Sequence, residues 1–204
     1  AAAELAGEIG AQAVLEGVLA GRQVLDLEDG LVEQPREPVE ARRPGPPRVL
    51  GQGEEAAARE IAAAKRPLIL AGHGVLIAEA WDELKALAEK AQIPVAWTLL
   101  GIGAIDEEHP LAYGYMGMHG WKHVNRAIQA SDLIIAVGMR FDDRVTGSVR
   151  TYAPYARIIH VDIDPAEIGK NVAVDIPVVG DAKRVLAGLL PLVQPGAGAE
   201  RDGY

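Results

Sequence analysis

Asp132-Leu133-Ile134-Ile135-Ala136-Val137-Gly138 runs directly into Met139-Arg140-Phe141-Asp142-Asp143-Arg144-Val145-Thr146-Gly147. The first stretch is too short for a helix and too uniformly apolar for a strand with one wet face. It predicts a strand buried on both sides, as in a parallel sheet covered by crossover helices. The second stretch places two arginines and two aspartates at that strand's carboxyl end, where open parallel sheets bind ligands.

Working outward, the same alternation repeats. Toward the N-terminus lie a predicted helix near 120–131, a strand from Ile93 to Thr98 and a helix over 77–92, on which Trp81, Leu84, Leu87, Ala88 and Ala91 share a face. A strand over 67–71 and a helix over 54–65, rich in strong helix formers, precede them. Toward the C-terminus follow a strand from Arg157 to Val161, a short helix over 164–170, a strand from Val174 to Val179 and a helix over 181–193. Alternating strands and helices predict an α/β fold with a doubly wound, Rossmann-like parallel sheet.

Residues 34–49 hold five prolines and no periodicity, which predicts an extended linker. The expected organisation is therefore an N-terminal piece over 1–33, the linker over 34–49, the main domain over 50–193 and a loose tail over 194–204. Within the first piece, Leu5, Ile9, Leu15, Val18 and Leu19 suggest a helical stripe, and Gln23 to Leu27 a short strand.

Hydrophobic residues make up 49% of the 204, enough for a core, and the net charge is −9 without a basic cluster. That balance disfavours binding to nucleic acid through phosphate neutralisation. The chain has no cysteine, which removes disulfide and thiolate chemistry and fits a reducing compartment. The apolar N-terminus carries Glu4, Glu8 and Glu16 and lacks a basic leader, so neither a signal peptide nor a membrane span is expected. A cytoplasmic protein is the resulting expectation.

Candidate functional residues gather at the predicted strand ends. Gly72-His73-Gly74 suits close approach of a phosphate to the backbone, although a glycine pair there is more often a plain turn. His73 reads as a loop residue rather than a catalyst, and the five histidines show no zinc-ligand spacing, so no metal site is assigned. The long glycine-rich stretch from Thr98 to Trp121 suggests backbone approach to something planar, or else a flexible loop, with Met118 and Trp121 as ligand contacts or core caps. Arg140, Asp142, Asp143 and Arg144 offer donors for phosphate and acceptors for hydroxyls, or form a surface ion-pair cluster. Asp162 is placed to hold hydroxyls, while Asp164 and Asp181 are read first as helix N-caps.

The ten residues from Gly138 to Gly147 closely resemble the G-x-R-F-D-D-R-V-T-G motif of acetohydroxyacid synthase (acetolactate synthase) large subunits. Leu111 to Gly120 resembles that family's L-G-M-H-G loop, and Ile159 to Ile168 its I-H-x-D-I-D-P-x-E-I segment. The likeness runs from about 66 to 193, and the ten-residue motif is highly specific. It implies the central domain of a thiamine-diphosphate enzyme that condenses two 2-oxo acids in branched-chain amino-acid biosynthesis, a domain that holds FAD without net redox chemistry.

By this resemblance the flavin contacts fall on Gly72, His73, Gly74, Thr98, Leu99, Met118, His119, Gly138, Arg140, Asp142, Arg144, Val145, Asp162, Ile163, Glu167, Asp181 and Ala182. Arg144 resembles the arginine near the family's substrate channel. Arg140→Ala is expected to weaken FAD binding more than Arg144→Ala. Residues 1–33 resemble the end of the family's first, pyrimidine-binding domain, with Arg22 as a further flavin contact. They depart from its G-R-P-G-P-V-L pattern after Arg22.

The thiamine-activating glutamate and the G-D-G motif for Mg²⁺ and diphosphate do not occur. Thiamine diphosphate and Mg²⁺ are thus expected only in a complete parent enzyme, and this chain is expected to be inactive alone, with no catalytic residue of its own. Its expected partners are FAD, other domains or subunits, and further copies of itself. The alternatives are a domain of another flavin-bearing carboligase, such as glyoxylate carboligase, and a stand-alone binding or structural module.

Overall fold

The computed structural model describes residues 52–196. The expected helix and strand within 1–33, Arg22, the linker over 34–49 and most of the tail lie outside the described residues.

Six strands form one all-parallel sheet: β1 (Pro67–Ala71), β2 (Val95–Trp97), β3 (Ala112–Tyr115), β4 (Leu133–Val137), β5 (Arg157–Asp162) and β6 (Ile176–Val179). Their order is β3-β2-β1-β4-β5-β6. The chain therefore starts near the middle of the sheet, winds outward to one edge, returns beside β1 and winds to the other edge. The reversal lies between β1 and β4, whose carboxyl ends Ala71 and Val137 are register partners. This is the doubly wound α/β topology expected above, and the reversal is its topological switch point.

Side chains alternate across the sheet and separate two cores. Ile69, Ala71, Ile135, Val137, Ile159 and Val161 pack on one face beneath helices α1 (Gln52–Ala63), α3 (Trp81–Ala91) and α6 (Ala182–Leu189). Leu68, Leu70, Ile134, Ala136 and Ile158 pack on the other, against Val124, Ala127 and Ile128 of α4 (Lys122–Ala130). All five residues of β1 and all five of β4 are buried, which is why both read as unbroken apolar runs. Each such Leu or Ile contributes roughly 1.5–3 kcal/mol of transfer free energy.

The predicted helix over 77–92 begins later than expected, at Trp81, and a separate short helix precedes it. A five-residue α2 (His73–Ile77) comes first, and α3 starts only at Trp81 after a break in which Glu79 takes φ 50°. Leu84, Leu87, Ala88 and Ala91 form the buried stripe of α3, but Trp81 at its first turn is 41% exposed and leaves that stripe. His73 is accordingly the first residue of a helix and not a loop residue.

Two further expectations change. The predicted helix over 164–170 is a series of turns. Asp162 and Asp164 each accept, through Oδ1, the backbone N–H two residues on, from Asp164 (2.9 Å) and Ala166 (2.8 Å). Such local bonds compete with helix formation. Asp164 thus closes a turn instead of capping a helix. The stretch from Thr98 to Trp121 contains strand β3, an edge strand joined to β2 with a register shift between Val95 and Ala96. Its central Gly114, at φ 128°, lowers the strand signal in the sequence.

Candidate functional site

At the switch point the loops leaving β1 and β4 meet backbone to backbone. Gly72 N–H donates to the Val137 carbonyl (2.9 Å), and Gly74 N–H donates to the Gly138 carbonyl (2.8 Å). A Cβ on Gly74 would stand 2.6 Å from the Gly138 Cα, and one on Gly72 would stand 2.3 Å from the Gly138 oxygen. Close packing of two crossover loops therefore accounts for these glycines before any ligand is considered.

Above this junction the loops diverge around a cleft of about 780 Å³. That volume lies within the range typical of small-molecule sites, at the place where such sheets carry them. Of the seventeen residues singled out in the sequence, sixteen line this one cleft: His73, Gly74, Thr98, Leu99, Met118, His119, Gly138, Arg140, Asp142, Arg144, Val145, Asp162, Ile163, Glu167, Asp181 and Ala182. Gly72 does not line it and belongs to the packed junction below.

Sequence reasoning passed over eight lining residues: Ile77, Ala78, Leu100, Tyr115, Met116, Met139, Val161 and Gly180. Most are apolar residues at element ends, where a pattern of hydrophobicity cannot separate core from cleft wall. Trp121, weighed earlier as a ligand contact or core cap, is neither. It is 55% exposed outside the cleft, tilted against His123 with ring centroids 5.3 Å apart.

The cleft has two chemical characters. Exposed Ile77, Leu99, Leu100, Met118 and Ile163 give it an apolar rim. Against them stand the carboxylates of Asp142, Asp162, Glu167 and Asp181 and the guanidinium groups of Arg140 and Arg144.

The carboxylates are only partly satisfied. Asp142 Oδ2 accepts from Arg140 Nε (3.2 Å), and Glu167 Oε1 from Lys170 Nζ (2.6 Å). Asp142 Oδ1 and Glu167 Oε2 are buried with no hydrogen-bond partner among the described residues. Buried acceptors of this kind are costly unless something supplies a donor. Asp181 accepts from Arg184 N–H (3.1 Å) and caps α6, as its position before Ala182 predicted.

The two arginines differ. Arg140 is 70% exposed at its side chain and already paired with Asp142. Arg144, on the short helix α5 (Asp143–Thr146), meets no carboxylate among the described residues and lies against Met118 Sδ (3.8 Å). Its charge is open to the cleft.

Asn125 of α4 was not anticipated. It holds Gly117 from both sides, Oδ1 accepting from Gly117 N–H (3.0 Å) and Nδ2 donating to the Gly117 carbonyl (2.8 Å). Next to it, Met118 N–H donates to the Arg144 carbonyl (2.8 Å), and a Cβ on Gly117 would come within 2.7 Å of that same oxygen. The loop bearing Met118 and His119 is thereby stitched to the loop bearing Arg144. An i to i−8 bond to the backbone has no sequence signature that would have revealed it.

His160 on β5 is fully buried, and its Nε2 lies 2.8 Å from the Met139 carbonyl. Burial holds the imidazole below its ordinary value. The carbonyl bond and the carboxylates of Asp162 and Glu167 push the other way without overcoming it.

Comparison with known proteins agrees with this architecture. Residues 55–189 match the family described as thiamine pyrophosphate enzyme, central domain. The chain is 52% identical over 170 residues to a probable acetolactate synthase large subunit of Methanocaldococcus jannaschii, covering 81% of this chain and 29% of that protein. It is 58% identical over 126 residues to the probable acetolactate synthase large subunit of Methanococcus aeolicus, covering 62% of this chain and 21% of that one. Against the acetolactate synthase large subunit of Corynebacterium glutamicum it is 54% identical over 136 residues, covering 67% and 22% respectively. The chain thus spans less than a third of the length of these relatives. No helix among the described residues is long and apolar enough to cross a membrane. With its doubly wound sheet and a match running from 55 to 189, this chain belongs to the central-domain family of thiamine pyrophosphate enzymes.

Proposed function

We propose that this chain is the flavin-binding central domain of an acetolactate synthase large subunit, holding FAD in the switch-point cleft. The observation that carries the reading is the cleft's divided chemistry. An apolar rim suits a planar ring system, unsatisfied carboxylate oxygens of Asp142 and Glu167 suit a polyol or ribose, and Arg144 suits a diphosphate. A flavin dinucleotide carries all three groups in one molecule. In the parent enzyme FAD supplies no net redox step, and the role of these residues is to bind and orient it.

In this reading condensation of 2-oxo acids with thiamine diphosphate and Mg²⁺ is carried out by other parts of the parent protein. The chain alone then forms no acetolactate from pyruvate. Partner domains and further copies are expected to cover the exposed apolar rim.

A second reading, a structural module without a cofactor, has one observation in its favour. Packing alone accounts for Gly72, Gly74 and Gly138, so those glycines do not by themselves require a ligand.

The test is titration of the full 204-residue chain with FAD, followed by flavin fluorescence, with ADP and riboflavin as competitors. Saturable one-to-one quenching reversed by ADP supports the flavin-dinucleotide reading. Absence of saturable binding supports the structural module.

A further inference from the structure

We propose that His160 is the positioning residue of this cleft, a buried imidazole that fixes the loop leaving β4 so that Arg140 and Asp142 face the ligand side. The inference rests on the reading of the cleft as a ligand site.

In the loop from Met139 to Asp142 apolar and charged side chains alternate. Met139 and Phe141 are 4% and 3% exposed and pack in the core, Met139 also reaching the cleft wall, while the charged groups of Arg140 and Asp142 face the cleft. A slip of one residue would bury the charges and expose the apolar pair. The inward pair is held by one ring. His160 Nε2–H donates to the Met139 carbonyl at 2.8 Å, the single donor that carbonyl has among the described residues. Phe141 packs against the same imidazole, with centroids 5.1 Å apart and planes at 79°.

Because a carbonyl only accepts, the bond requires the proton on Nε2. Nδ1 is then left bare, and it has no partner among the described residues. An apolar side chain would fill this position on β5 between Ile159 and Val161 without that penalty. What the histidine adds is a donor aimed at the loop.

The experiment compares the full chain with His160→Leu, which keeps bulk and loses the donor, and His160→Gln, which can return a donor near the Nε2 position. Amide hydrogen exchange of the unliganded proteins is read at Gly74 and Asp142, whose N–H groups bond to the carbonyls of Gly138 and Arg140. Loss of one buried hydrogen bond predicts roughly tenfold faster exchange at both in His160→Leu, with amides inside β1 and β4 unchanged and His160→Gln close to wild type. FAD affinity should fall by a similar factor in His160→Leu and recover in His160→Gln.

Equal behaviour of the two variants, or acceleration spread evenly over the sheet, overturns the proposal. If His160→Leu does not fold, the comparison of His160→Gln with wild type and the ring's own nitrogen spectrum decide. Protection retained in His160→Gln with a neutral Nε2–H ring supports the proposal, and an Nδ1–H or cationic ring at pH 7 overturns it. A wild-type chain that binds no FAD refutes the flavin reading alone, since exchange at Gly74 and Asp142 still decides whether His160 holds the loop.

Discussion

Gly74 and Gly138 are in direct backbone contact, the amide of one donating to the carbonyl of the other at 2.8 Å across the switch point. That contact joins the first crossover of one half of the sheet to the first loop of the other, and the cleft opens above it. Gly74 has no positive φ, so Gly74→Ala tests the contact without backbone strain. Forcing a methyl into this junction should cost about 1–3 kcal/mol or more. Gly188→Ala serves as the opposite case. Gly188 lies within α6, and its nearest neighbour to a new Cβ is the Glu54 side chain at 3.8 Å, so stability should rise by up to about 1 kcal/mol. Urea unfolding of both variants checks the signs.

Asn125 holds Gly117 with two hydrogen bonds, and through it the loop carrying Met118 and His119. Asn125→Ala should lower stability by about 1–2 kcal/mol and weaken FAD binding roughly tenfold. Asn125→Asp keeps the acceptor and loses the donor, and it should fall between the two. A variant that loses stability but keeps full affinity would show that this loop does not shape the site.

The acid limit of stability should carry the mark of His160. Its pKa is lowered below the ordinary 6.5 by burial, so the unfolded chain binds the extra proton more readily than the folded one. Stability from this group is complete above pH 6.5 and declines as pH falls from there toward the folded-state value. The facing carboxylates Asp162 and Glu167 limit the loss without reversing its sign. His160→Gln should flatten that decline in thermal unfolding measured between pH 7 and pH 5. An equal slope in wild type and variant would assign it to other groups.

Arg144 and Arg140 should not be equivalent toward a diphosphate. The sequence led to the expectation that Arg140 matters more, but Arg140 is 70% exposed and shares its charge with Asp142, while Arg144 has no acidic partner among the described residues. Arg144→Ala is therefore expected to cost about 1.5–3 kcal/mol of FAD binding, and Arg140→Ala about 1 kcal/mol or less. Fluorescence titration of both variants decides the order.

The strands were legible because burial on both faces writes an unbroken apolar run, as in Leu133 to Val137 and Pro67 to Ala71. The break between α2 and α3 was not, because Ile77-Ala78-Glu79-Ala80 contains neither glycine nor proline and the positive φ falls on Glu79. Strand β3 was hidden by Gly114, and the expected helix over 164–170 gave way to aspartates that bind local amides. Arg140, Asp142, Arg144 and Asp162 stood out by charge at strand ends and Gly72 and Gly74 as a glycine pair, whereas Leu99, His119, Val145, Ile163, Glu167 and Ala182 followed only from the family resemblance. The supports behind them, Asn125 and His160, act through single contacts distant in sequence and carry no periodic signal.

The central claim, that a flavin dinucleotide occupies the switch-point cleft, is tested most directly by amide chemical shifts of the chain during addition of FAD. The account predicts saturable changes confined to 73–78, 98–100, 116–119, 138–145, 162–167 and 180–182, with the amides of Trp121 to His123 unaffected. Changes centred elsewhere, or none that saturate, would contradict it.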